Sequence, residues 1–160
     1  MLRHVCLLSA LLLSCPAVAK EIVGRVVGVS DGDTLTILVN GREQIKVRLA
    51  EIDAPEKSQP FGQRSKQSLS DLCFGKSAVL QKTDTDRYGR TVAKVHCAGM
   101  NANAEQIRAG LAWAYRKYLH DQSLLVLENE AQVAKRGLWI DSDPVSPWEF
   151  RKLKRHNDSQ

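Results

Sequence analysis

The sequence predicts a mainly β, α+β domain, namely a five-stranded antiparallel barrel of the OB type with three α-helices. Five short segments with strand patterns follow one another between turn signals. One helical pattern comes after the third strand, and two more come after the fifth. At 160 residues and 43% hydrophobic content, the chain is long enough for one core and too short for two.

The first three predicted strands form a meander. Residues 21–29 are rich in Val and Ile, and residues 34–39 alternate apolar with polar side chains. Asn40 and Gly41 follow, and both accept the positive φ of a type I′ hairpin turn. Residues 42–52 alternate again and predict the third strand.

The later elements follow from helical periodicity and from helix-ending glycines. Helices are predicted to end near Gly75, Gly110 and Gly137, each of which suits a left-handed C′ position. The predicted elements are a helix over 61–72, strands over 77–83 and 91–97, a helix over 101–109, and a helix over 121–136 with Asp121 as N-cap. Residues 141–160 contain two prolines and a basic cluster, and they predict a loosely ordered basic tail after a domain over 20–140.

The first 19 residues predict a cleaved signal peptide. Arg3 starts a short positive region, an apolar run follows, and the residues before Lys20 form an A-x-A site that predicts cleavage after Ala19. The apolar run is too short for a permanent membrane span. A lipoprotein signal ending at Cys15 is the alternative, but the residues on either side of that cysteine fit it poorly. The chain is therefore predicted to be exported, either periplasmic or secreted.

Two cysteines remain after residue 19. An even number of cysteines in an exported protein predicts a disulfide, here between Cys73 and Cys97. The alternative is two separately buried thiols. A zinc site is disfavoured because no histidine stands at ligand spacing from them.

Residues 20–160 carry 22 basic and 18 acidic residues. The resulting net charge of +4 is only a weak indication of a polyanionic partner.

One stretch carries most of the chemistry. Between Asp33 and Glu56 the sequence offers those two carboxylates near turns, a third at Asp53, and Arg48 on the polar face of the third predicted strand. Carboxylates suit a cation that prefers oxygen ligands, and a guanidinium donates paired hydrogen bonds to phosphate oxygens. This combination suits phosphate ester cleavage. Asp31, in contrast, is interpreted as a turn residue.

The chain resembles the staphylococcal nuclease (thermonuclease) family over about Val23 to Trp139. Five motifs in compatible order carry the resemblance, namely VVGVSDGDT at 26–34, VRLAEIDAPE at 47–56, DRYGR at 86–90, NAEQIRAGLA at 103–112 and AKRGLW at 134–139. The resemblance implies an OB-type barrel with three helices and a Ca²⁺-dependent phosphodiesterase site for DNA or RNA, with 3′-phosphate products.

The resemblance also implies a role for each matching residue. Asp33 and Asp53 would bind Ca²⁺ through their carboxylates and Ala54 through its main-chain carbonyl. Glu56 would act on the attacking water, either as general base or by ordering water around the metal. Arg48 and Arg90 would bind the scissile phosphate. Tyr88 and Tyr118 would contact nucleotide, although Arg116 stands where a second tyrosine is expected, which weakens base stacking.

Other interpretations exist for the same residues. Arg90 could pair with Asp86 within a turn, and the aromatic residues Trp113, Tyr115, Trp139 and Trp148 favour packing over base contacts. A non-catalytic OB module that binds single-stranded nucleic acid is the main alternative function, but it predicts lost carboxylates or arginines, and none is lost. A docking platform independent of nucleic acid is a third hypothesis. A monomer is expected because no apolar surface stripe is evident.

Overall fold

A closed five-stranded barrel forms the centre of the molecule. The computed structural model describes residues 21–158, so the predicted signal peptide and the Cys15 alternative lie outside the described residues. The barrel strands are β1 (Glu21–Asp31), β2 (Thr34–Val39), β3 (Glu43–Leu49), β5 (Ser77–Thr85) and β6 (Thr91–Cys97). They pair in the order β3-β2-β1-β5-β6, and parallel pairing of β3 with β6 closes the barrel. The predicted OB-type fold is confirmed.

The remaining elements cover the barrel and connect its strands. The short strands are β4 (Ile52–Asp53), β7 (Met100–Asn101) and β8 (Trp113–Ala114), and β4 pairs with β8. The helices are α1 (Gly62–Cys73), α2 (Ala102–Arg108), α3 (Ser123–Val133) and α4 (Pro147–Asn157), with 3₁₀ turns at Arg116–Tyr118 and Gly137–Ile140. Within residues 21–158 no helix is long and apolar enough to cross a membrane.

The alternation in the sequence produces the core. Side chains that are apolar at every second strand position point into the barrel, and α1 and α2 close its end with Leu69 and Ile107. Asn40 and Gly41 have φ of 51° and 69°, as the predicted type I′ hairpin requires. The fully buried strand residues include Leu35, Ile37, Val47, Leu49, Leu80 and Val95.

The third strand is shorter than predicted, because it ends at Leu49 instead of residue 52. Glu51 has φ of 64°, which breaks the strand, and its buried carboxylate accepts hydrogen bonds from the backbone N–H groups of His120 and Asp121. These bonds compensate the burial of the charge and tie the β3–β4 turn to the start of α3. β4 therefore leaves the barrel and pairs with β8.

The predicted disulfide is present. Cys73 at the end of α1 is bonded to Cys97 at the end of β6, with a Cα–Cα distance of 5.2 Å. Both residues are fully buried in the barrel core. The bond therefore fixes the C-terminal end of α1 against the barrel wall.

The expectation of a loosely ordered tail is wrong, because residues 147–157 form a fourth helix. Ser146 and Glu149 make a capping box, and Pro147 occupies the first turn, where its missing N–H costs nothing. Basic residues in the last turn complement the helix dipole. The capping-box residues and Pro147 are visible in the sequence, although the two prolines and the basic cluster there are also typical of a loose tail.

Candidate active site

The candidate active site lies where the barrel closes, at the C-terminal end of β3. Arg48 pairs with Thr34 of β2 on one side and with Val92 of β6 on the other. The position of its backbone is thus set by two ladders, and its side chain projects from the polar face, as predicted. Its guanidinium donates to the carbonyl of Ile52 at 3.3 Å and lies 5.9 Å from the ring centre of Tyr115.

Asp33 and Asp53 share this one guanidinium. Nη2 of Arg48 lies 3.3 Å from Oδ2 of Asp33 and 2.8 Å from Oδ1 of Asp53. The backbone carbonyl of Asp33 accepts from the N–H of Leu49 at 2.8 Å, so the β1–β2 turn is attached to the end of β3. Two carboxylates 20 residues apart in sequence therefore face one cationic group. Both are buried, Asp53 almost completely.

Buried polar contacts hold the turn formed by residues 31–34 (D-G-D-T) in place. Gly32 packs so closely that an added Cβ would lie 1.7 Å from the hydroxyl oxygen of Ser65 on α1. Gln106 of α2 donates to the carbonyls of Gly32 at 2.7 Å and of Ser65 at 3.0 Å. Asp31 accepts from the N–H of Asp33 at 3.2 Å, which agrees with its interpretation as a turn residue. The turn is therefore fixed by two helices as well as by the barrel.

The segment after β4 brings Ala54 and Glu56 to the same place. The N–H of Ala54 donates to Oδ2 of Asp33 at 3.1 Å. The helix α1 begins so close to the next turn that a Cβ at Gly62 would lie 1.9 Å from the carbonyl oxygen of Glu56. The side chain of Glu56 is 41% exposed and faces the same cluster through an ion pair described below.

Arg90 reaches the site from the β5–β6 turn. Its Nη1 lies 3.4 Å from the hydroxyl of Thr34, and that hydroxyl donates to Asp33 at 2.8 Å. Its Nε pairs with Asp86 at 2.7 Å, so the turn pairing that was the alternative interpretation is present as well. The two are compatible, since the ion pair orients Arg90 beside the carboxylates and leaves the side chain partly exposed.

The predicted nucleotide-contacting tyrosines lie farther out. Tyr88 is 69% exposed and lies beside the guanidinium groups of Arg87 and Arg90, at 4.8 and 5.7 Å. Tyr118 is 52% exposed and meets Tyr115 edge-on, with ring centres 5.0 Å apart. Tyr115 itself is engaged in packing, since its ring also stacks on that of Trp148. Arg116 instead pairs with the buried Glu128 of α3.

Sequence reasoning missed Arg151 of α4. Its Nη2 lies 2.6 Å from Oδ2 of Asp53, and its Nη1 lies 2.8 Å from Oε1 of Glu56. Only the capping box that starts α4 could have drawn attention to it, because 95 residues separate Arg151 from Glu56. The aromatic residues beside it do pack together, as favoured from the sequence: Trp148 stacks on Tyr115 with ring centres 5.4 Å apart.

The pKa shifts reflect burial opposed by these ion pairs. Burial raises the pKa of Asp53 above its ordinary value, and the hydrogen bond from Arg151 opposes that rise. For Arg48, burial alone would lower the pKa, but the charges of Asp33 and Asp53 outweigh it and the pKa is raised. The pKa of Asp31 is raised to about 6, first by burial and then by the charge of Asp33. The site is thus a dense, partly desolvated set of opposite charges.

The donor groups fit a hard cation. Carboxylate and carbonyl oxygens are what Ca²⁺ prefers, and two of the carboxylates already share one positive group in Arg48. In the arrangement seen over residues 21–158, no three His, Cys, Asp or Glu side chains are grouped to hold a metal ion. Arg151 is instead a second cation on Asp53, beside Arg48, and it also pairs with Glu56. The residues therefore fit Ca²⁺ in chemistry, with guanidinium groups now balancing the acids.

Comparison with known proteins agrees with this geometry. The family described as staphylococcal nuclease homologue matches residues 46–141, which contain β4, the β5–β6 turn and α1 to α3. The chain belongs to this family. The family resemblance inferred from the sequence is thereby confirmed, as is the assignment to the nuclease class of hydrolases.

Relatives in several bacteria are similar over most of their length. The chain is 50% identical to a protein named uncharacterized endonuclease from Haemophilus influenzae, over 83% of this chain and 75% of that one. It is 44% identical to another uncharacterized endonuclease, from Escherichia coli O157:H7, over 89% and 94% of the two chains. It is 40% identical to a protein named micrococcal nuclease from Shigella flexneri, over 97% and 94%.

Proposed function

We propose that the protein is a Ca²⁺-dependent endonuclease that hydrolyses phosphodiester bonds of DNA and RNA and leaves 3′-phosphate ends. The observation that carries the proposal is Arg48, whose guanidinium lies between Asp33 and Asp53 at the closure of the barrel. Family membership and relatives named as endonucleases support the same activity.

Asp33, Asp53 and the carbonyl of Ala54 would hold the metal. Ca²⁺, when bound, supplies a positive charge that polarises the phosphate and orders water. The two aspartates are buried, so few waters compete for their oxygens. Their shared contact with Arg48 keeps them together in the absence of metal.

Arg48 and Arg90 would bind the scissile phosphate from two sides. Both are partly exposed, at 16% and 24% of the side-chain surface, so phosphate oxygens can reach them. Each guanidinium is held by an acid, Arg48 by Asp53 and Arg90 by Asp86, which orients its remaining N–H groups before substrate arrives. Negative charge that develops on the phosphate oxygens, and on the 5′ oxygen as its bond to phosphorus breaks, would then meet donors that need no rearrangement.

Glu56 would take the proton from the attacking water. It is the most exposed of the three carboxylates, and its backbone is fixed by the close approach of α1. Tyr88 and Tyr118 would contact the nucleotide on either side of the phosphate, since both rings are exposed, Tyr88 beside Arg90 and Tyr118 beside Tyr115. A base within reach of water and fixed in its backbone suits general-base catalysis.

The direct test is cleavage of single-stranded DNA and RNA with Ca²⁺ and with excess chelator. We expect cleavage only with Ca²⁺, and Arg48→Ala should reduce the rate by about 10²–10³-fold, as loss of one charge stabiliser does. Lys46→Ala is the matched control, because it removes an exposed positive charge from the same strand. Circular dichroism checks that both variants are folded.

Two results would contradict the proposal. Wild-type cleavage rates in Arg48→Ala would exclude the assigned site. Binding of nucleic acid without cleavage under every metal would favour the non-catalytic OB module instead.

We also propose that the chain works outside the cytoplasm as a monomer. The disulfide between Cys73 and Cys97 supports an oxidising compartment, either the periplasm or the exterior. Removal of residues 1–19 as a signal peptide is consistent with it. Mass spectrometry of the protein recovered from the periplasm or medium tests this, and a chain beginning at Lys20 is the expected result.

A further inference from the structure

The helix α4 is docked over the candidate active site by its own contacts. Trp148 stacks on Tyr115 and meets Trp113 edge-on at 5.8 Å. The side chain of Gln59 donates to the carbonyl of Val145 at 2.6 Å, just before the helix, and Pro147 is buried. These contacts set the first turn of α4 against the loop that carries Glu56. The next turn then presents Arg151 to the carboxylates.

Arg151 binds the acids proposed to serve the metal. Its two terminal nitrogens contact both oxygens of Asp53, at 2.6 and 3.3 Å, and one of them also contacts Glu56 at 2.8 Å. Asp53 also accepts from Arg48, so both of its oxygens are engaged by guanidinium groups. A planar guanidinium that spans two carboxylates makes a strong, directional ion pair.

A divalent cation and Arg151 need the same oxygens. Oxygen lone pairs of Asp53 that accept N–H groups are not free to coordinate a metal, and positive charges a few ångströms apart repel in a partly buried site. The contact of Arg151 with these carboxylates therefore competes with metal binding. The apparent affinity for metal falls by the fraction of molecules in which the acids are free.

Arg151, not Arg48, is the group that can leave. Arg48 is anchored on a barrel strand and donates to the carbonyl of Ile52 as well. Its side chain is 16% exposed, whereas that of Arg151 is 37% exposed at the edge of the site. A long side chain at the surface can swing into solvent without any movement of the helix backbone.

We propose that Arg151 is a further residue of this site, a resident counter-ion that Ca²⁺ displaces from Asp53 and Glu56. In this way Arg151 sets the Ca²⁺ concentration at which the site fills. The inference rests on the proposed Ca²⁺ site and deepens it. It assigns to α4 a function in metal selection that the barrel alone does not have, because only a cation that outcompetes a guanidinium can enter.

The test is Ca²⁺ binding measured by isothermal titration calorimetry without nucleic acid. We expect Arg151→Gln to lower the Kd for Ca²⁺ by about tenfold or more, because it removes both the competitor and its charge. Arg151→Lys keeps the charge but loses the fork across two acids, and its Kd should fall between the other two. This second variant retains a cation for the buried Asp53 if Arg151→Gln proves unstable.

Lys152→Gln is the matched control. It removes the same charge from the neighbouring, exposed position of α4 and should leave the Kd within about twofold of wild type, as screened surface charges do. A similar tightening in this control would attribute the effect to net charge and overturn the role of Arg151.

The remaining outcomes separate the inference from the proposed function. Ca²⁺ binding to wild type with equal or weaker binding to Arg151→Gln and Arg151→Lys would overturn the counter-ion role and leave the Ca²⁺ site standing. No Ca²⁺ binding to any variant would reject the Ca²⁺ site itself, and the inference with it.

Discussion

Asp53 is held by two regions that are built differently. On one side is the barrel, where Arg48 is fixed by pairing with two strands. On the other side is α4, whose contacts near the site include an aromatic cluster, the hydrogen bond from the side chain of Gln59 to the carbonyl of Val145, and the ion pairs of Arg151. In the proposed function, the barrel side would supply the groups that bind metal and phosphate, and the α4 side would supply a counter-ion that exchanges with the metal.

The difference follows from how each region is stabilised. The barrel buries a continuous apolar core, and pairing of β3 with β6 closes its sheet, so we expect its strands to unfold as one cooperative unit. In α4, Pro147 is buried, whereas Trp148, Phe150 and Arg151 are only partly buried. A segment with few buried contacts opens at lower free energy than the core does. Two predictions test this contrast.

The larger effect is expected from the disulfide on the barrel side. Replacing both Cys73 and Cys97 by Ala opens a loop of 24 residues and should lower the free energy of unfolding by about 3 kcal/mol. Urea denaturation measures the change, with reduced and oxidised wild type as the matched pair. Because the bond lies in the barrel, the loss should appear in the global transition.

An unchanged free energy of unfolding in the double variant would mean that the bond does not support the barrel. A loss confined to the exchange rates of α4 amides would contradict the division into two regions.

A smaller and local effect is expected from Trp148→Ala on the α4 side. Each aromatic pair is worth about 0.5–1.5 kcal/mol beyond its buried area, and Trp148 makes two. Amide exchange over residues 148–157 should therefore accelerate about tenfold or more. Exchange in β2, β3 and β6 should not change. If the barrel amides accelerate equally, α4 belongs to the same cooperative unit as the barrel, which would contradict the separate opening of α4.

Much of the barrel could be predicted from local sequence. Alternation placed Val47 and Leu49 inside and Arg48 outside, and the Asn40-Gly41 pair fixed the hairpin. The end of β3 could not be predicted in the same way. It depends on Glu51, whose positive φ is stabilised by hydrogen bonds from His120 and Asp121, about 70 residues away.

The same limit applies to the site. Short-range patterns placed Asp33 in a turn and Arg48 on the polar face of a strand, and the structure brings both beside Asp53. Arg151 and Tyr115 reach the site through tertiary packing of α4 and β8, which no periodicity in the sequence specifies. The capping box at Ser146 is a helix signal that the expectation of a loose tail left out, and it does not specify what the second turn of α4 contacts.

The most direct test of the central claim is a Ca²⁺ titration of the cleavage rate of a labelled oligonucleotide in Asp53→Asn and wild type. Asp53→Asn keeps the shape of the side chain and one acceptor oxygen. It removes the negative charge that Arg48 and Arg151 share and that the proposed metal would bind. We expect the rate to saturate with Ca²⁺ in wild type and to be about 10²-fold lower in the variant at every Ca²⁺ concentration. Asp71→Asn, an exposed acid on α1, should behave as wild type. Wild-type cleavage by Asp53→Asn, or cleavage in excess chelator, would contradict the assignment of this site.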